Sequence, residues 1–344
     1  MIHASVPRLP RALLSLFVAA SVAVPMSGAA RAAAVPAPAP AGVALPREAS
    51  PRALADRYTA SRRDILAAER VAARHGDRWR AASLRAMADP ARGFLAFDGR
   101  GGGRAVEVVG DLAAARHVAV LVPGADTHLD KYGFLRGGAL RLAQALGEPY
   151  AVVAWLGYRT PETMSLASLT ADRADEGAAA LRAFVRWLAA VKGGAGVSLV
   201  CHSYGSVVCG RAAPGLDVAR LVLLGSPGTG AGDAAGLRTR AAVWAARGDR
   251  DWIGWVPHVR LHLPFGTLGL GTDPVSPGFG ARVFAAGDAA HSGYLAAGSP
   301  ALRNVARIVA GRKPVDPVRE PGGAGAGTGG TGVLSGAGGV GGRA

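Results

Sequence analysis

Short apolar runs recur along the middle of the chain, at 118–122, 152–156, 197–200, 221–224, 241–246 and 282–285. They lack a polar alternate, which is the pattern of strands buried on both faces. The intervals between them carry helical spacing. Ala139, Leu142, Ala143 and Leu146 fall at i, i+3, i+4 and i+7, as do Leu181, Phe184, Val185 and Leu188, and again Leu302, Val305, Ala306 and Val309. Strand and helix in alternation predict right-handed crossovers and an α/β fold, a mostly parallel sheet with helices on both faces. Upstream, 94–97 and 105–109 flank a segment with four glycines and predict a hairpin on the antiparallel edge of that sheet. Residues 50–88 predict one or two helices packed in front of it, so that 50–312 form the folded domain.

The ends differ from this middle. Arg8 and Arg11 precede an apolar run at 12–24, broken by Pro25 and Gly28 ahead of small-residue cleavage sites at 30–34. That layout predicts a signal peptide over 1–34 and a secreted or cell-envelope protein. The run is 13 residues long, short of the roughly 20 that a spanning helix needs. Pro36, Pro38, Pro40 and Pro46 among alanines predict an extended linker over 35–49. A Gly-rich tail over 313–344, with 12 glycines in its last 24 positions, predicts disorder, as does the linker.

At 344 residues, half of them apolar, the chain is long enough to bury a sizeable core. Its formal charge is +15, from 39 Lys and Arg against 24 acids, and only Lys131, Lys192 and Lys313 are lysines. The arginines are scattered among acids and alanines and do not cluster on one element with aromatics, which argues against a nucleic-acid partner. A basic surface predicts weak, salt-sensitive association with an anionic envelope. Oligomeric state is not legible.

In an open parallel sheet, reactive groups collect at the carboxyl ends of the strands. After the run 197–200 comes Cys201-His202-Ser203-Tyr204-Gly205, the form of a nucleophile elbow with Cys201 at its first small position. A sharp strand-to-helix turn there would expose the Ser203 hydroxyl and aim the Tyr204 amide at a forming oxyanion. A serine needs a base, and His291 lies between the last strand and the last helix, where a loop can hang over it. His202 is set aside as base, because adjacent strand residues point to opposite faces; packing or a hydrogen bond beneath the elbow is its expected role. The acid is expected after the run 241–246, as Asp251 with Asp249 as the fallback. Val122-Pro123-Gly124-Ala125 offers the Ala125 amide as the second oxyanion donor.

His258 and His262 are four apart but lack a third ligand at helical spacing, so pocket lining is preferred to metal binding. Cys201 and Cys209 would sit at the end of a strand and about two turns along a helix. That separation favours two buried thiols over a bond. Trp252, Trp255, Phe265 and the Pro/Gly-rich stretch to Gly280 read either as part of a lid or acyl pocket or as core aromatics.

From about Gly93 to Gly311 the chain resembles the α/β-hydrolase superfamily, in particular a secreted actinobacterial branch of mostly unassigned substrate. The matching phrases are Val122-Pro123-Gly124, Trp155-Leu156-Gly157-Tyr158, His202-Ser203-Tyr204-Gly205-Ser206, Gly225-Ser226-Pro227-Gly228, Asp273-Pro274, Phe279-Gly280-Ala281 and His291-Ser292-Gly293-Tyr294. The resemblance implies Ser203 as nucleophile, Asp251 as acid and His291 as base; Cys201 departs from the family's usual glycine. The expected activity is that of a secreted serine hydrolase acting on a small-molecule or lipid ester, or an amide, through an acyl-enzyme. No cofactor and no metal are implied. An acyltransferase using the same triad, and a catalytically silent binding scaffold, are the alternatives.

Overall fold

The computed structural model describes residues 35–163, 165–193, 196–259, 261–263 and 266–315. The signal peptide and most of the Gly-rich tail read from the sequence lie outside the described residues.

Eight strands form one sheet in the order β1-β2-β4-β3-β5-β6-β7-β10. The hairpin β1 (Gly93–Asp98) and β2 (Arg104–Val109) supplies the antiparallel edge, and β2 also runs antiparallel to β4 (Tyr150–Leu156). The rest is parallel: β3 (His117–Val122), β5 (Gly196–His202), β6 (Arg220–Leu224), β7 (Ala242–Ala246) and the two-residue β10 (Arg282–Val283). A separate ribbon pairs β8 (Leu261–Leu263) with β9 (Gly266–Leu268). Alternate residues of each central strand feed opposite cores, because side chains project from a strand with period two. Val118, Val120, Leu199 and Leu221 pack on one face toward helices α4 (Asp172–Lys192) and α5 (Gly205–Ala212). Ala119, Leu121, Val200 and Val222 pack on the other toward α3 (Tyr132–Leu146) and α6 (Pro300–Val309).

The upstream segment 50–88 forms two helices, α1 (Pro51–His75) and α2 (Arg78–Met87). α1 starts at Ser50, whose hydroxyl accepts from the Ala53 amide, with Pro51 at the first helical position, and stops at Gly76 in the left-handed region. It lies along the edge strand, where buried Arg57 donates from Nε to the Leu95 carbonyl over 2.5 Å. Leu95 falls at the point where the β1–β2 register shifts.

The segment 35–49 is extended, as its prolines predict, but it is docked. Leu45 packs on one core, Val35 and Ala37 on the other. Arg57 donates to the Val43 carbonyl over 2.7 Å, and Trp187 donates to that of Pro46 over 2.7 Å. The expectation of a disordered spacer is corrected here. Hydrogen bonds from distant side chains satisfy its backbone, a contribution that composition does not report.

α3 is pinned at two points. Buried Glu107 on β2 accepts a bidentate pair from Arg92, at 2.7 and 2.8 Å, and a third bond from Arg136 of α3 at 3.1 Å. Farther along, Arg141 donates from Nε to the Leu295 carbonyl.

Candidate active site

β5 runs on to His202, so the chain turns at Ser203 itself. Ser203 has φ of 52°, in the left-handed region that non-glycine residues rarely adopt. Its amide donates to the Leu224 carbonyl over 2.9 Å, which fixes the bend against β6. Glycines make the bend possible. A Cβ on Gly205 would lie 2.6 Å from the carbonyl oxygens of Val122 and Pro123, and one on Gly124 would lie 2.5 Å from Ser203 Cβ.

Ser203 Oγ lies 2.9 Å from His291 Nε2, and His291 Nδ1 lies 2.8 Å from Asp251 Oδ1. The carboxylate is buried, its side chain 0% exposed. Its Oδ1 also accepts from the Ile253 amide at 2.9 Å, capping the 3-10 turn Trp252–Trp255. Its Oδ2 accepts from the Tyr294 hydroxyl at 2.5 Å, and the Tyr294 oxygen in turn accepts from the Gly248 amide at 3.0 Å. Burial alone would raise the Asp251 carboxyl, but the bonds from His291, Tyr294 and Ile253 outweigh it, and its pKa lies below the ordinary carboxylate value. Gly225 leaves room for this group: a Cβ there would sit 2.6 Å from Asp251 Oδ2. Asp249, the fallback acid, is exposed, and its amide is tied to the Gly287 carbonyl at 3.0 Å. Of the two, Asp251 alone contacts His291.

The loop after β3 is held from three sides. Tyr158 donates to the Pro123 carbonyl over 2.8 Å, the Asp126 amide donates to Pro161 over 2.9 Å, and the Asp126 carboxylate accepts from Thr163 Oγ1 over 2.5 Å. Ala125 thereby lines the same cleft as Ser203 and Tyr204. Among the described residues, neither the Ala125 nor the Tyr204 amide donates to a protein acceptor.

Three expectations are corrected. His202 does not point beneath the elbow. It lines the cleft beside His291, with ring centroids 4.9 Å apart, and donates from Nε2 to the His291 carbonyl over 2.6 Å. It therefore holds the histidine loop in place. Burial and the neighbouring His291 push its own pKa down to about 4. Cys201 and Cys209 are joined in a disulfide with a Cα separation of 6.5 Å; the turn at Ser203 folds α5 back beside the end of β5 and closes the gap that a straight path would leave. His258 lies outside the cleft lining, with Nε2 3.3 Å from the Ser226 carbonyl and 4.0 Å from Asp273. Among the described residues no cluster could hold a metal ion. Trp252 lines the cleft with its ring 4.6 Å from that of His291, while Trp255 is exposed; Phe265 lies outside the described residues.

Two contributors escaped sequence reasoning. Tyr294 stands in the phrase that begins at His291, three residues on, but only the structure turns its hydroxyl to Asp251. Arg141 lies on the helix predicted from 139–146, and its approach to the cleft depends on a tertiary bond to Leu295.

Residues 98–261 match a family model described as alpha/beta hydrolase, a span that includes Ser203 and Asp251 and stops before His291. Two uncharacterized Mycobacterium tuberculosis proteins, from strains CDC 1551 / Oshkosh and ATCC 25618 / H37Rv, are each 34% identical over 252 residues, 63% of this chain. The chain spans 38% of the length of these curated relatives. Among solved structures, XC6422 from Xanthomonas campestris, described as an a/b serine hydrolase without lid, is 21% identical with a TM-score of 0.41, covering 66% of this chain and 97% of that one. Esterase PE8 is 16% identical with a TM-score of 0.40, covering 59% and 96%. With its largely parallel eight-stranded sheet, its helices on both faces and this matched segment, the chain is a protein of the α/β-hydrolase fold.

Proposed function

We propose that the protein is a serine hydrolase that cleaves a carboxylic ester, or an amide, through an acyl-enzyme. The observation that carries this reading is the unbroken chain from Ser203 Oγ to His291 to Asp251 at a cleft of about 1000 Å³. Ser203 Oγ attacks the carbonyl carbon while His291 Nε2 takes its proton, and Asp251 orients the imidazole and balances the charge it gains. The Tyr204 and Ala125 amides donate to the oxyanion. Collapse breaks the bond to the leaving alcohol, which leaves with the proton from His291. Water then attacks the acyl-enzyme by the same route, releases the acid and restores Ser203. The reading includes export to the cell envelope or beyond, supported by the N-terminal pattern, and an actinobacterial branch, supported by the mycobacterial relatives.

A fluorophosphonate probe tests it directly. Wild type is expected to label and Ser203→Ala to remain unlabelled; an unlabelled wild type would overturn the assignment.

A further inference from the structure

The sheet order puts β6 and β7 on one side of β5, whose end carries Ser203, and β3, which leads into α3, on the other, and the cleft is lined from both. On one side its lining is apolar, from Pro227, Trp252, Ile253, Val256 and Leu270. Among the described residues the cleft lining holds one carboxylate, that of Asp126, and it is turned to Thr163. The other side is the wall made by α3, with Leu135 and Gly138 between two cations, Lys131 and Arg141. Neither cation has a carboxylate within ion-pair distance among the described residues. Arg141 is held all the same. Its Nε bonds the Leu295 carbonyl, and its guanidinium lies back along the helix over Gly137, where a Cβ would come within 3.3 Å of Nη1. A glycine inside a helix is destabilising relative to alanine, and here it leaves the space that the guanidinium occupies. An arginine fixed through Nε and lining a reactive cleft without a counter-ion retains its Nη donors for an anion.

We propose that the substrate is an ester carrying an anionic group, a carboxylate or a phosphate, on the part that lies along α3, with Arg141 as the specificity-determining residue and Lys131 adding to the field. This rests on the hydrolase reading above.

The test compares p-nitrophenyl esters of graded acyl length ending in methyl with partners of equal length ending in carboxylate or phosphomonoester. At the best length, kcat/KM is expected to favour an anionic partner by about 10- to 100-fold, falling as salt rises. Whichever anion gains more identifies the source. Arg141→Met is expected to bring the ratio to within about threefold of one, and Lys131→Glu, at an exposed position that leaves the Leu295 bond intact, to lower it several-fold. Hydrolysis of methyl-ended esters with no preference for an anion overturns this proposal and leaves the hydrolase reading standing, as does a preference that survives both substitutions. Turnover of neither series by protein that fluorophosphonate also fails to label overturns both.

Discussion

Tyr294 donates its hydroxyl to Asp251 Oδ2 over 2.5 Å while accepting from the Gly248 amide, so one phenol, three residues past His291, holds the acid-bearing loop after β7 at both its backbone and its buried carboxylate. The bond favours the carboxylate form. Because the folded-state pKa of Asp251 is depressed, its stabilising contribution is present above the unfolded value and is lost as pH falls through the folded one. Tyr294→Phe removes the donor and leaves the Gly248 amide without its acceptor. The expected result is a loss of about 1–3 kcal/mol in stability, an acid-side loss that begins at higher pH, and about a tenfold drop in kcat/KM. Urea melts from pH 6 downward, alongside ester kinetics, check this; unchanged acid behaviour would remove Tyr294 from the account.

Gly124 allows the loop after β3 to approach the elbow. In Gly124→Ala the new methyl would meet Ser203 Cβ at 2.5 Å and the His202 carbonyl at 3.0 Å. Backbone must shift, at a cost of about 1–3 kcal/mol, and the shift moves Ala125 relative to Ser203. Turnover is expected to fall at least about a hundredfold, on the scale of losing an oxyanion donor. Near-normal activity would mean that this loop does not serve the reaction.

The Cys201–Cys209 bond closes a short loop across the elbow. For a separation of 8 residues, chain entropy gives a stabilisation of about 2.5 kcal/mol. Cys201→Ala with Cys209→Ala is expected to melt roughly 5–10 °C lower, and wild type in dithiothreitol should approach the same temperature. Equal melting points for wild type and double variant, both without reductant, would show that the bond contributes nothing.

His202 titrates in the opposite sense from a paired histidine. Its folded pKa, about 4, lies below the unfolded value of 6.5, so its contribution is intact above 6.5 and falls away as pH drops toward 4. His202→Gln still offers a donor to the His291 carbonyl but does not titrate. Denaturant midpoints at pH 7, 5.5 and 4.5 should fall less steeply in the variant. Parallel slopes would contradict the assigned burial.

Much of the sheet is legible in the sequence because its central strands are buried on both faces, which leaves runs such as 118–122 and 221–224 without a polar residue. The positions of Ser203 and His291 follow from the rule that loops at the carboxyl ends of strands meet over the sheet. What escapes is decided at shorter range or over longer distance. Asp249 and Asp251 lie in one loop, and a 3-10 turn capped by Asp251 selects which faces inward. The disulfide depends on the sharpness of the turn at Ser203. The docking of 35–49, the two arginines on Glu107 and the seating of Arg141 each join residues far apart in the chain. No local pattern encodes them.

The bond from Arg57 to the Leu95 carbonyl has a consequence for solution behaviour. Open sheets end in rows of unsatisfied peptide groups that another sheet can extend. Here the far border is a two-residue strand, and the near one is shielded by α1, with an arginine occupying the irregular carbonyl. A version of the chain trimmed to start near β1 would bare that row, and its molecules would be recruited edge to edge into growing ribbons.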